Sequence, residues 1–166
     1  GMKDYLHDEA EKMSRKESDN SKRIMTRGGR PYYLYKDTAY SRLSPFKPEW
    51  IEELIVVDDN DPENKQVVFN NGHFLHQFTY FIGDVNFYYI LNGKKKVSVM
   101  STGDSMYISP YVPHSFTSRK NTTKTNGVIL ALTYSDKLNH ESIDELSAIG
   151  KDLSMKFKLD LENKLQ

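Results

Sequence analysis

The chain contains no cysteine. That excludes disulfides, thiolate zinc sites and a cysteine nucleophile. It also fits a reducing compartment, so a cytoplasmic location is expected. Charge of neither sign is in excess, because 23 basic residues stand against 23 acidic ones. Nothing global therefore points to nucleic acid or to an anionic membrane as a partner. No apolar run approaches the roughly 20 residues of a membrane-crossing helix. The start of the chain is charged rather than apolar, so no secretory signal is read there. Gly1 before Met2 is read as an expression remnant. Internal repeats and low-complexity segments are lacking too.

Aromatic residues are plentiful: 11 Tyr, 8 Phe and 1 Trp. They favour strands and line pockets. At 166 residues and 37% hydrophobic, the chain suits one domain with one modest core. Residues 2–26 are polar, with few apolar anchors, and read as an N-terminal arm. Residues 27–135 read as a β-barrel domain. Expected strands are Tyr32–Tyr35, Ile51–Val57, Gln66–Phe69, Phe74–Ile82, Phe87–Leu91, Lys95–Met100, Ser105–Ile108, Ser115–Ser118 and Val128–Tyr134. Between them lie turn signals, of which Asn92-Gly93 is the strongest, since both central residues of a tight hairpin turn need positive φ. Short strands with frequent turns predict a sandwich or barrel. Residues 136–166 change period. Ile143, Leu146, Ile149, Leu153 and Phe157 recur every three or four residues and predict one amphipathic C-terminal α-helix.

Three segments carry candidate chemistry. In Asn70-Asn71-Gly72-His73-Phe74-Leu75-His76-Gln77, residues i and i+4 of a strand share a face. His73 and Gln77 are thus expected to face one interior, with His76 opposite. In the segment from Gly103 to Phe116, His114 follows a proline-bounded turn that can bring it beside His73. Two imidazoles and one oxygen ligand leave positions open on an octahedral metal, as non-haem Fe(II) chemistry needs. The third segment is Arg27-Gly28-Gly29-Arg30-Pro31-Tyr32-Tyr33-Leu34-Tyr35. Elsewhere, Lys94-Lys95-Lys96 reads as a solvated strand edge.

Gly72-His73-x-x-x-Gln77 with Pro113-His114 resembles the cupin-type iron-dependent phosphonate oxygenases, over roughly residues 25–135. This group comprises hydroxypropylphosphonate epoxidase, hydroxyethylphosphonate dioxygenase and methylphosphonate synthase. The resemblance implies an all-β cupin, a double-stranded β-helix or jelly-roll barrel, usually paired as a homodimer or higher homo-oligomer. It implies His73, Gln77 and His114 as the catalytic ligands of Fe(II). Zinc, nickel or manganese can occupy the same residues in a purified sample. Arg27, Tyr33, Tyr35 and Asn70 match residues that bind the phosphonate. Within the group a carboxylate stands at the position of Gln77 or of Ile108. Gln77 together with Ile108 is similar to the methylphosphonate synthase branch, which turns 2-hydroxyethylphosphonate and O2 into methylphosphonate and CO2. The substrate then supplies the electrons, and no external reductant is expected. A lysine from an N-terminal helical region is also implied; Lys12, Lys16 and Lys22 are candidates, with no spacing that chooses among them. Two other readings stay open: a non-catalytic cupin that binds a small anion, and a cupin isomerase or dioxygenase on another anionic substrate.

Overall fold

The computed structural model describes residues 20–40, 48–120 and 125–134. Among these residues the structure is all-β, with ten strands and no helix. β1 (Arg23–Arg27) and β2 (Arg30–Asp37) form a hairpin across Gly28 and Gly29, at φ 57° and 77°. β3 (Glu49–Glu53) and the short β4 (Val56–Val57) follow. Then come β5 (His76–Ile82), β6 (Val85–Leu91), β7 (Lys94–Met100), β8 (Ser105–Ile108), β9 (His114–Arg119) and β10 (Val128–Tyr134). They build a six-stranded sheet in the order β1-β2-β3-β10-β5-β8 and a four-stranded sheet in the order β4-β9-β6-β7.

The core lies between the two sheets. Ile51, Phe81 and Ile129 of the larger sheet meet Val57, Phe87 and Phe116 of the smaller. Alternation sets the inward face. On β5, Gln77, Thr79 and Phe81 are buried while Phe78 is exposed. On β3, Ile51 and Glu53 point inward. The β6–β7 hairpin turns at Asn92 and Gly93, both at positive φ (51° and 72°), as a tight two-residue turn requires. The backs of β6 and β9 are covered by the loop before β5. Asn86 Nδ2 donates to Asp59 O and Asn60 Oδ1, and Phe69 packs edge-on against Tyr88.

Three expectations need correction. Gln66–Phe69 is loop rather than strand. Its backbone groups are taken elsewhere: Gln66 O accepts from Arg30, Val67 N donates to Asn64 O, and Val68 N donates to the Tyr32 hydroxyl. Ile51–Val57 is two strands, because Leu54 N bonds Tyr32 O while Val56 and Val57 pair with β9 in the other sheet. The strand expected from Phe74 starts at His76, so His73 lies in a loop. In addition, β1 starts within the segment read as an arm. Ile24 there is exposed and earns its order from pairing with Leu34 rather than from burial. The expected C-terminal helix lies outside the described residues. Among those residues no helix is long and apolar enough to cross a membrane.

Candidate metal and anion site

A cavity of about 280 Å³ opens on the inner face of the larger sheet. It is near the small end of ligand pockets and suits a small molecule. His73, Gln77 and His114 line it, and so do Arg27, Tyr33, Tyr35 and Asn70. Residues from three distant segments thus converge on one space. Apolar walls come from Ile51, Phe116 and Ile129.

The two histidines are held by loop backbone. His73 O accepts from Tyr111 N at 2.7 Å. Asn70 N donates to His114 O at 3.1 Å, and His114 N donates back to Asn70 Oδ1 at 2.9 Å. These bonds tie the loop before β5 to the loop before β9, and the rings stand 5.0 Å apart, edge to face. Gly72 permits the closure. Its φ is +74°, and a Cβ there would lie 2.5 Å from the Tyr111 carbonyl carbon. Gly72→Ala must therefore strain the chain and part the loops. We expect a loss of about 2–4 kcal/mol of stability, read as a lowered urea midpoint at unchanged slope.

Each imidazole is oriented by its other nitrogen. His73 Nδ1 donates to Leu75 O at 2.8 Å, and His114 Nδ1 donates to Val112 O at 2.7 Å. That fixes the tautomer with the Nε2 lone pair free to act as a base or ligand. Burial pushes His114 down to about 4 and also lowers His73, so both rings are neutral near pH 7. His114 Nε2 accepts from Asn70 Nδ2 at 3.1 Å. Gln77 Nε2 donates to Thr79 Oγ1 at 2.9 Å, which anchors the amide and leaves its oxygen as the acceptor end. Thr79, the orienting partner, was readable as an inward neighbour two residues along β5. The Leu75 and Val112 carbonyls leave no side-chain signal at all. Among the described residues no third His, Cys, Asp or Glu completes a metal-ligating cluster with the histidines. Gln77 offers an amide oxygen in the same cavity.

Arg27 is the cation of the cavity. Its Nη1 donates to Tyr33 Oη at 3.3 Å and to Val68 O at 3.2 Å, and the guanidinium lies over the Tyr33 ring at 4.8 Å. Glu49 also lines the cavity, but it is ion-paired to Arg23. Tyr33 is buried, and its hydroxyl accepts from Phe116 N, so it is part of the wall. Tyr35 is pushed up to about 12, chiefly by burial, and stays a hydroxyl donor across the working range. Lys22 is exposed and does not line the cavity; Lys12 and Lys16 lie outside the described residues. His76 faces outward, as expected, stacked between Tyr107 and Tyr134.

These features set one guanidinium beside a two-histidine, one-amide group in a single cavity, and the chain can be compared with known proteins of similar sequence and fold. The chain is similar to proteins that act on phosphonates. It is 55% identical over 152 residues to methylphosphonate synthase of Nitrosopumilus maritimus, a match over 91% of this chain and 33% of that protein. It is 46% identical to Streptomyces albus HEPD, solved with 2-hydroxyethylphosphonate and Fe(II), at a TM-score of 0.69 over 84% of this chain and 31% of that one. A structure of Fe(II) HppE in complex with substrate is similar in fold, at 22% identity and a TM-score of 0.59 over 72% of this chain and 59% of the other. No family model matches. The chain spans about a third of the length of the first two relatives.

Proposed function

We propose that this chain is the cupin barrel of a mononuclear non-haem Fe(II), O2-dependent oxygenase that acts on a small hydroxyalkylphosphonate. The observation that carries this reading is the convergence of His73, Gln77, His114 and Arg27 on one small cavity. The donor set fits a divalent metal. Both imidazoles are neutral, both are oriented through Nδ1, and the Gln77 amide is oriented through Thr79. His73, Gln77 and His114 would hold the iron, which when bound supplies the one-electron chemistry that activates O2.

The remaining residues bind and orient. Three neutral ligands leave the metal its full charge, where a carboxylate would cancel one unit. Together with Arg27 this makes the cavity strongly attractive to a phosphonate dianion. Arg27 presents a planar fork to two phosphonate oxygens. Tyr35 contributes a hydroxyl. Asn70 now donates to His114 Nε2. Once that lone pair is given to a metal, the Asn70 N–H is free to donate to a substrate oxygen. The apolar walls exclude water around the carbon chain.

Gln77 with Ile108, and the 55% identity to a methylphosphonate synthase, favour 2-hydroxyethylphosphonate as substrate. That substrate and O2 balance to methylphosphonate, CO2 and water. The test is phosphorus NMR of 2-hydroxyethylphosphonate after anaerobically iron-loaded chain is exposed to O2. The expected outcome is a methylphosphonate signal. A hydroxymethylphosphonate signal would keep the oxygenase and change the outcome of carbon–carbon cleavage. An unchanged spectrum with iron bound would assign the chain to anion binding or to another substrate.

A further inference from the structure

Glu53 is fully buried, and neither carboxyl oxygen has a hydrogen-bond partner. Its backbone is well anchored: Glu53 N donates to Gly127 O, and Ser118 Oγ donates to Glu53 O. The orphan is the side chain alone. It points inward on β3 one alternate position beyond Ile51, which lines the cavity, and it pairs in register with Tyr33. The charged and titratable groups that act on it are Arg27 from β1 and Glu52 beside it on β3. In turn it acts on Tyr32, Tyr33 and Tyr35 from β2.

A buried carboxyl without partners is costly, and an apolar residue of the same shape would serve packing better. Arg27, whose Nη1 donates to the hydroxyl of the Tyr33 paired with Glu53 across the sheet, is a part-buried guanidinium with no carboxylate at ion-pair distance among the described residues. We propose that Glu53 is a positioning residue that sets anion affinity through Arg27: its carboxylate and a bound oxyanion are alternative counter-charges for one guanidinium. This rests on the reading of Arg27 as the phosphonate-binding cation.

Burial holds the Glu53 carboxyl well above the usual range, against the pull of Arg27, which favours the protonated side chain. In that state Arg27 is available to the ligand. As pH rises through the Glu53 ionisation, the carboxylate takes over the guanidinium. Binding then requires that Glu53 recover a proton. Affinity should fall by up to about tenfold per pH unit in that range.

The test compares wild type with Glu53→Gln, both iron-loaded and free of O2, by calorimetric titration with 2-hydroxyethylphosphonate from roughly pH 6 to 9, the span in which buried glutamates ionise. The ratio of the two Kd values cancels the ionisation of the phosphonate itself. It should be near one at low pH and rise with pH as wild type weakens. A ratio independent of pH overturns the role of Glu53 and leaves the phosphonate reading intact. Absence of binding by either protein at every pH overturns both. Infrared spectroscopy of wild type gives a readout that does not depend on the variant folding. A protonated-acid carbonyl band should be present at the low end of that pH range, be lost as pH rises, and persist to higher pH when the phosphonate is bound. A band unmoved by ligand overturns the coupling.

Discussion

His114→Ala should leave a folded chain that no longer retains Fe(II) through gel filtration. Losing even an outer hydrogen-bond partner of a metal ligand costs roughly 10- to 100-fold in affinity, and losing one of three ligands should exceed that. The ring is also part of the wall, packed against Phe87 and Phe116. Its truncation will therefore lower stability by a few kcal/mol, on the order of other large-to-small core changes. Gln77→Ala is the cleaner variant, since it removes the oxygen donor and leaves both histidines on their backbone anchors. Metal content by elemental analysis and turnover by phosphorus NMR should fall together in both. Wild-type iron retention in both variants would sink the metal assignment.

Arg27→Ala should separate anion binding from metal binding. Truncating one side of a buried, charge-assisted pair costs about 2–5 kcal/mol, which is roughly 30-fold to several thousand-fold in Kd. We expect KM for 2-hydroxyethylphosphonate to rise within that range while iron content stays at the wild-type level. Arg27→Lys should recover part of the loss, because it restores the charge and not the fork. An unchanged KM in Arg27→Ala would mean that the phosphonate sits elsewhere.

Much of this was legible in the chain itself, for identifiable reasons. Asn92-Gly93 announces a hairpin because its backbone requirement is local. The alternation from Gln77 to Phe81 sets the inward face of β5. The seven residues proposed for the site line one cavity, and they were picked out because three separated segments resemble one group of enzymes. What failed depended on tertiary competition. Val67 and Val68 have strand-like side chains, but their backbone N–H groups were claimed by Asn64 and by the side chain of Tyr32. His73 reached the cavity from a loop, so the strand-period reasoning that joined it to Gln77 gave the right neighbour by the wrong geometry. Glu53 was passed over because a glutamate in a charged stretch, next to Glu52, reads as surface. Only the alternation with Ile51 hinted that it points inward.

One pairing in the larger sheet has a wider consequence. Gln77 on β5 sits directly opposite Ile108 on β8, and both side chains are buried on the inner face. The histidines, in contrast, are fixed by the two loops. In the proposed metal site, the donor that sets the charge thus comes from a strand, apart from the loops that hold the histidines. Its rung partner Ile108 is the facing position on the same inner side of the sheet. Chemistry on this scaffold can thus be retuned by exchanging one side chain, with no loop remodelled and no strand moved. Related enzymes with different products are then the expected result of small sequence changes at one rung of a β-ladder.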